Sequence, residues 1–279
     1  MWISKKPYRD YLFKSQILIG LIGCIMLFSG VKSLGYNWFD IGGFNWVLVF
    51  CACVFIYRID WFMHKLAVDK CINLLISGKP IEGSVFYPCL LLLYALVMLT
   101  FALPVQLLFH LGTIAVLYHF PASLPFQFRT WRRIPYLKVF LIAYVWAMLG
   151  SYYPAALLGL PLDKADIFTH FLCWFVYILA ITLPFDIRDI HSDQSQNLWT
   201  ITRAVGAGYT KLIAVLLLVV FTAIAYFVGA YPLGGLLALL LINVGLVLGV
   251  NDQRPVYYFK VLMDGMVVVT ALFFASYSH

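Results

Sequence analysis

Nine long apolar runs, separated by short polar connections, limit this chain to very few architectures. A transmembrane helix needs about 20 apolar residues. The runs that approach this length are 16–34, 44–63, 87–103, 105–119, 137–158, 168–185, 212–230, 233–250 and 256–277. Only 11% of the 279 residues are charged and the mean hydropathy is +0.92, which leaves too little polar surface to cover a soluble globule. The sequence predicts an all-α integral membrane protein with nine transmembrane helices, in one domain over residues 1–279.

The basic residues predict how these runs are oriented. If nine spans alternate, all of the 19 lysines and arginines except Lys32 and Lys164 lie on the side of the amino terminus. Such residues concentrate in cytoplasmic segments. Runs 87–103 and 105–119 count as two spans, not one kinked helix, because basic segments precede and follow the pair. The pattern predicts a multi-pass inner-membrane protein with a cytoplasmic amino terminus, and it explains the net charge of +7 without a nucleic-acid partner.

The longest polar connections are expected on this cytoplasmic side, at about 57–86, 120–136 and 186–211. Functional polar groups tend to lie on such loops, over the opening of a helical bundle. We therefore expect a site that opens toward the cytoplasm.

Three aspartates follow the sixth run directly, in a chain with only 12 acidic residues. Asp186, Asp189 and Asp193 have the spacing i, i+3 and i+7, which places them on one face of a helix. Clustered carboxylates at a membrane boundary are costly without a cation, and Mg²⁺ binds both carboxylates and phosphate. The cluster predicts a Mg²⁺ and diphosphate site. The alternative is a solvated helix end whose acids pair with Arg188 and Arg203.

Other polar residues are candidates for binding a substrate. Five cationic side chains could grip diphosphate, although each also obeys the orientation rule: Lys79, Arg129, Arg132, Arg133 and Arg203. Asn197 extends the aspartate face by one turn. Asp264 lies about two turns inside the ninth run, where a buried acid is costly; it is either a functional group or a hydrogen-bonded packing contact.

The acidic segment and its surroundings resemble the UbiA superfamily of intramembrane prenyltransferases. The second of that family's two aspartate-rich motifs matches the run Asp186-Ile187-Arg188-Asp189-Ile190-His191-Ser192-Asp193, which Thr200 and Gly206 follow as they often do in the family. The family's basic-proline segment after helix two is similar to Ser77-Gly78-Lys79-Pro80-Ile81. By span count and loop order the resemblance covers nearly the whole chain. It implies nine helices, and aspartate-rich motifs after helices two and six that hold a prenyl diphosphate through Mg²⁺.

The family's first motif, Asn-x-x-x-Asp-x-x-x-Asp, is altered here. Aligning Asp60 with its first aspartate puts Ile56 and His64 at the other two positions. Aligning Asp69 with the second aspartate also leaves two ligands missing. The resemblance makes Asp60 a candidate catalytic acid, and it makes His64 or Lys65 a candidate hydrogen-bond donor to diphosphate.

The reaction that the resemblance implies is transfer of a prenyl group. A prenyl diphosphate loses its diphosphate with help from Mg²⁺ and basic side chains, and a hydrophobic or amphipathic acceptor captures the allylic cation. Aromatic residues, 18% of the chain, could stabilise that cation through their ring faces. Alternatives are a non-catalytic isoprenoid-binding protein of the same fold and a terpene cyclase-like relative. A transporter using Asp60 and Asp264 is less favoured, because the charges gather on one face.

Overall fold

The computed structural model describes residues 16–65, 101–119, 134–195 and 198–277, with Leu92 and Leu96 between the first two ranges. For residues 58–65 only the backbone is described. Within these ranges every regular element is helical and no strand occurs. Most of the predicted third span and most of the loop 120–136 lie outside them.

The described helices follow one another with short connections. They are α1 (Ile17–Ser33), a 3₁₀ turn (Trp38–Ile41), α2 (Gly43–Lys65), α3 (Leu103–His119), α4 (Leu137–Gly150), α5 (Tyr152–Leu157), α6 (Ala165–Arg188), α7 (Ile190–Ser195), α8 (Ile201–Phe227), α9 (Leu233–Leu248), a π-helical segment (Tyr258–Met263) and α10 (Asp264–Ser276).

Four helical stretches are long and apolar enough to cross a membrane, namely Leu137–Leu157, Ala165–Arg188, Ile201–Phe227 and Tyr258–Ser276. Four shorter apolar helices are Ile17–Ser33, Gly43–Tyr57, Leu103–Ala115 and Leu233–Leu248. These eight stretches overlap eight of the predicted runs. The prediction of an all-helical chain with helices of membrane length is confirmed for the described residues, whereas the nine crossings and the cytoplasmic amino terminus stay predictions.

The central helix of the bundle is α6, which packs most extensively against α8 and α4. Its Trp174 and Tyr177 are fully buried. The Trp174 ring meets Phe274 of α10 at a centroid distance of 5.4 Å, and the Tyr177 ring meets Phe221 of α8 at 4.9 Å. Where lipid surrounds a bundle, close packing of this kind holds the helices together, because lipid tails are as apolar as the side chains. The carboxyl end of α6 therefore projects from a rigid scaffold.

Small residues bring α1 close to its neighbours. A Cβ atom at Gly30 would overlap the carbonyl oxygen of Gly150 in α4, and one at Gly23 would lie 2.6 Å from Cys53 Sγ in α2. Glycine lets helix backbones approach to a distance that larger residues exclude. These contacts fix α1 against α4 and α2.

Backbone irregularities occur on both sides of the acidic segment. Helix α6 ends at Arg188 and α7 begins at Ile190. Within α8, Gly206 has φ 82° and ψ 162°, a conformation that bends the helix and favours glycine. The π-helical Tyr258–Met263 directly precedes Asp264, and such segments are frequent at functional sites.

Candidate active site

The three predicted aspartates surround the ammonium group of Lys138, the second residue of α4. Lys138 Nζ lies 2.7 Å from Asp186 Oδ1, 3.7 Å from Asp193 Oδ2 and 4.0 Å from Asp189 Oδ2. The side chains of Asp186 and Asp193 are each 1% exposed. Buried carboxylates are costly unless they are paired, so Lys138 supplies the charge that the acids need. We call these four residues the acid cluster.

The acids do not lie on one continuous helix, as their spacing alone predicted. The chain leaves α6 at Asp189, but the Asp189 N–H still donates to Phe185 O at 2.9 Å and the Asp193 N–H to Asp189 O at 2.8 Å. These bonds preserve a helical spacing across the break. The N–H of Leu198 then donates to Asp193 O at 2.8 Å, which ties the next segment to α7. The three carboxylates therefore lie on one side, as predicted. They come from two helical segments, α6 and α7 with Asp189 between them, and not from one helix.

Lys138 is held in place from the opposite side of the site. The N–H of Tyr136, two residues earlier, donates to Trp199 O at 3.1 Å. That hydrogen bond joins the start of α4 to the segment that follows the acids. The positions of the ammonium group and of the carboxylates are thus fixed against one another by the backbone.

Arg188 closes the outer side of the cluster. Its Nε and one terminal nitrogen donate to the two carboxylate oxygens of Asp189 at 2.7 and 2.9 Å. The guanidinium lies 5.1 Å from the ring centroids of both Phe185 and Phe259, within the range of a cation–π contact. Arg188 therefore pairs with an acid, as the alternative expected, but Asp186 and Asp193 are buried, so this is not the solvated helix end of that alternative.

Arg203 was the other expected partner of the acids, and its contacts differ from that expectation. Its guanidinium donates to Leu198 O and lies 5.0 Å from the centroid of the Trp199 ring. Its backbone N–H donates to Thr200 Oγ1 at 3.4 Å, which makes Thr200 the N-cap of α8. These contacts organise the loop after the acids, and a role for Arg203 in binding substrate stays a prediction.

The predicted Mg²⁺ site can be compared with the geometry of the acid cluster. Three carboxylates are the oxygen ligands that Mg²⁺ prefers, and the buried Asp193 Oδ2 accepts no hydrogen bond. The geometry, however, suits an ammonium, since Mg²⁺ needs oxygens at about 2.0–2.1 Å. Across the described ranges, no three His, Cys, Asp or Glu side chains are grouped closely enough to hold a metal ion. In the geometry described, Lys138 compensates the three carboxylates, and a Mg²⁺ site at this cluster stays a prediction.

Two mainly apolar cavities adjoin the cluster. The first, about 280 Å³, is lined by residues of α1, α2, α4, α6, the π-helical segment and α10. The second, about 270 Å³, lies between α2, α3 and α4. The residues that line both cavities are Tyr57, Lys138, Ile142, Trp146 and Asp189. Two apolar spaces therefore meet the same ammonium and carboxylate groups.

The wall shared by the cavities is itself ordered. The indole N–H of Trp146 donates to the hydroxyl oxygen of Tyr57 at 3.3 Å, and the two ring centroids lie 6.4 Å apart. This pair joins α4 to α2 beside the acid cluster. Both rings present apolar surface to any ligand that occupies either space.

The first cavity contains a second charged group. Asp264 and Lys260 line it together with Arg188. Asp264 was a candidate from the sequence, and its position in a cavity wall favours a functional role over a simple packing contact. Lys260 was not singled out from the sequence.

Several predicted site residues lie outside the described part of the chain. They are Lys79, Arg129, Arg132, Arg133 and Asn197. The backbone positions of Asp60, His64 and Lys65 fall in the last turns of α2, and their side chains are not described.

Sequence reasoning missed Lys138 as a member of the site. The available signal was a lysine just inside an apolar run, combined with the need of three acids for a nearby cation. Tyr57 and Trp146 carried no comparable signal, because aromatic residues are common throughout the chain.

Comparisons of the chain with protein-family models, with curated proteins and with solved structures found no match. The resemblance to the UbiA superfamily accordingly stays a prediction from the residues of the second motif. Functional interpretation of the site rests on its own geometry.

Proposed function

We propose that this protein is a membrane-embedded prenyltransferase that transfers a prenyl group from a prenyl diphosphate to a hydrophobic or amphipathic acceptor. The observation that carries the proposal is the meeting of two apolar cavities at one cluster of carboxylate and cationic groups. A prenyl diphosphate has the matching chemistry, because its apolar chain suits the cavities and its charged head suits the cluster.

In this proposal Asp186, Asp189 and Asp193 hold Mg²⁺. The ion, when bound, would neutralise charge that develops on the departing diphosphate. Lys138 and Arg188 lie beside the carboxylates. In this proposal they would donate hydrogen bonds to the oxygens of the diphosphate. Predicted residues from the other loops belong to the same proposal: Asp60, His64, Lys65, Lys79, Arg129, Arg132, Arg133, Asn197 and Arg203.

The cavities suggest how two reactants would be separated. Each volume is slightly below the range of about 300–1,000 Å³ that is typical of ligand pockets. One space would receive the prenyl chain and the other the acceptor, with the rings of Tyr57 and Trp146 between them. Aromatic faces at that position would stabilise an allylic cation, while the apolar walls exclude water.

The proposed topology has nine spans, a cytoplasmic amino terminus and a site that opens to the cytoplasm from the inner membrane. The distribution of charge in the bundle supports it. Lys138, Arg188 and Lys260 lie at the end that contains the acids. Lys32 and Lys164, predicted to lie outside, belong to the opposite end, where Ser33 Oγ of α1 lies 3.3 Å from His170 Nε2 near the start of α6.

The first test is binding of farnesyl S-thiolodiphosphate, a poorly cleaved analogue, to the purified protein with and without Mg²⁺. We expect metal-dependent binding to the wild type and its loss in Asp189→Ala. Asp166→Ala is the matched control, since Asp166 lies in the first turn of α6, whereas Asp189 directly follows its last residue, about 35 Å away at 1.5 Å per residue. Equal binding by all three proteins with or without metal would contradict the proposed site.

A second candidate is a non-catalytic isoprenoid-binding protein of the same architecture. One observation favours it: Lys138 already compensates the acids without a metal ion. This candidate predicts binding of prenyl compounds that Mg²⁺ does not affect. A cyclase-like relative would instead need metal and release a cyclic product from the prenyl diphosphate alone, which product analysis without an acceptor would reveal.

A further inference from the structure

One side of α4 separates the two apolar cavities. Lys138, Ile142 and Trp146 follow one another at intervals of four residues, so they lie on the same side of this helix. All three residues line both cavities. The remaining walls of the first cavity come mainly from α1, α6 and α10, and those of the second from α2 and α3. The three residues therefore form a ridge between two spaces, which we call the α4 ridge.

Each end of the α4 ridge contacts a neighbouring element. At one end, Lys138 Nζ lies 4.0 Å from Asp189 Oδ2. At the other, Trp146 Nε1 donates to Tyr57 Oη at 3.3 Å. Asp189 and Tyr57 also line both cavities, so these two contacts complete the wall between them. From Lys138 to Trp146 the wall runs about 12 Å along α4, at 1.5 Å per residue.

The wall is held more weakly at Trp146 than at Lys138. A hydrogen bond between two neutral side chains is weaker than one between charged groups, and Lys138 donates to Asp186 at 2.7 Å as well. The side chain of Trp146 is also only partly buried, because it borders the two open spaces. We therefore expect the wall to open at Trp146 first.

The volumes of the cavities make this wall important for the choice of ligand. Each cavity alone, at about 280 and 270 Å³, is slightly smaller than a typical ligand pocket of about 300–1,000 Å³. The two cavities together fall within that range. A short apolar chain fits into one of them, whereas a longer chain needs both. The Trp146 indole lies where such a chain would have to cross.

We propose that Trp146, held by Tyr57, sets the length of the prenyl chain that the site accepts. With the indole in place, the chain is confined to one cavity. Without it, a longer chain continues from one cavity into the other. The inference rests on the proposed function in naming a prenyl chain, but it depends on the apolar walls and not on how the charged head group is bound.

The test is binding of neutral prenyl alcohols, namely tritiated geraniol, farnesol and geranylgeraniol, to the protein in one detergent. The measured quantity is the ratio of the geranylgeraniol affinity to the geraniol affinity, in which partition into micelles cancels between proteins. Trp146→Ala should raise this ratio about tenfold or more, because the longer chain fills the space that the indole leaves. Trp38→Ala is the matched control, since that exposed indole lines neither cavity, and it should leave the ratio unchanged.

Milder variants keep the test decisive if Trp146→Ala folds poorly. Trp146→Phe retains a smaller ring without the N–H donor, and Tyr57→Phe retains its ring without the hydroxyl that accepts the hydrogen bond. Both should raise the ratio, by less than Trp146→Ala does, because the wall is loosened and not removed.

A double variant tests whether the longer chain really uses both spaces. Ala115 lines the second cavity but not the first. Ala115→Leu narrows the second cavity, so Trp146→Ala combined with Ala115→Leu should return the ratio toward the wild-type value. Ala115→Leu alone should leave the ratio low, since the wall is then still in place.

An unchanged ratio in all three variants of the pair, or no binding of any alcohol by any of the proteins, would overturn the role of Trp146. An increase that persists in the double variant would overturn it too, because the second cavity would not be involved. The proposed function is judged separately by binding of the thiolodiphosphate. Normal thiolodiphosphate binding with unchanged ratios would keep the function and reject the role of Trp146. Shifted ratios in a protein that does not bind the thiolodiphosphate would support the role of Trp146 and reject the function.

Discussion

The two ends of α6 are built from different interactions. At its start, which we call the neutral end, Trp174 Nε1 donates to His170 Nε2 at 3.0 Å, and His170 lies 3.3 Å from Ser33 Oγ. At the charged end, formed by the acid cluster, three carboxylates share one lysine, and Asp189 also pairs with Arg188. Neutral hydrogen bonds among packed rings stabilise a bundle, whereas buried ion pairs often do not repay their desolvation. We therefore expect the stability of the protein to depend more on the neutral end than on the charged end.

The largest expected effect is a loss of stability, without a loss of ligand binding, when the neutral end is altered. Trp174→Ala removes a fully buried indole and should lower the free energy of unfolding by about 3–5 kcal/mol. Thermal unfolding in detergent would measure it, with Phe168→Ala as the control because that ring is exposed on the same helix. Folded Trp174→Ala protein should still bind the thiolodiphosphate. A loss of binding by the folded fraction would break the division between the two ends.

A smaller effect is expected where α1 meets α4 near the neutral end. Gly30→Ala places a methyl group against Gly150 O and Pro154 Cγ, and overpacking of this kind costs about 1–3 kcal/mol. Gly112→Ala is the control, since its added Cβ would meet open space. Equal stability of the two variants, compared by their unfolding temperatures, would show that the helices can separate slightly without cost.

The pair formed by Lys138 and Asp186 tests whether the charged end supplies stability. Lys138→Met and Asp186→Asn should each destabilise the protein when made alone, because each leaves an unmatched buried group. The double variant should recover part of that loss, with a coupling energy of about 0.5–3 kcal/mol. A double-mutant cycle on unfolding free energies measures the coupling. Strictly additive effects would mean that the 2.7 Å contact contributes nothing.

The smallest effect concerns the helix that follows the acids. Thr200→Ala removes the N-cap of α8 and should cost about 1 kcal/mol. It should also weaken thiolodiphosphate binding slightly, because Trp199 beside it holds the start of α4 through Tyr136 N. Thr200→Ser keeps the capping hydroxyl and should restore both properties. Failure of serine to restore them would assign the effect to the lost methyl group.

Much of the helical layout could be predicted from hydropathy. The predicted first run, 16–34, matches α1 at Ile17–Ser33, and the sixth, 168–185, lies within Ala165–Arg188. The seventh was predicted to begin at Leu212, but α8 begins at Ile201, because a polar turn capped by Thr200 precedes the apolar part. Hydropathy identifies only apolar segments, so it could not identify the polar first turns of α8.

The candidate site could be predicted only in part. The three aspartates are visible because acids are rare in this chain and these share a helical spacing. Their partner Lys138 lies 48 residues away in the chain and is brought to them by the packing of α4 on α6. The cavities depend likewise on how three or more helices meet, which no local sequence pattern contains.

The bend at Gly206 has a consequence for how the protein responds to its surroundings. Residues after the bend form the long apolar part of α8, and only 33% of its most apolar stretch is buried in the bundle. A thinner or thicker bilayer changes the tilt of such a helix. Because the chain changes direction at one glycine, that tilt can be absorbed there before it reaches Arg203 and Thr200. The charged end would then keep its shape in membranes of different lipid composition.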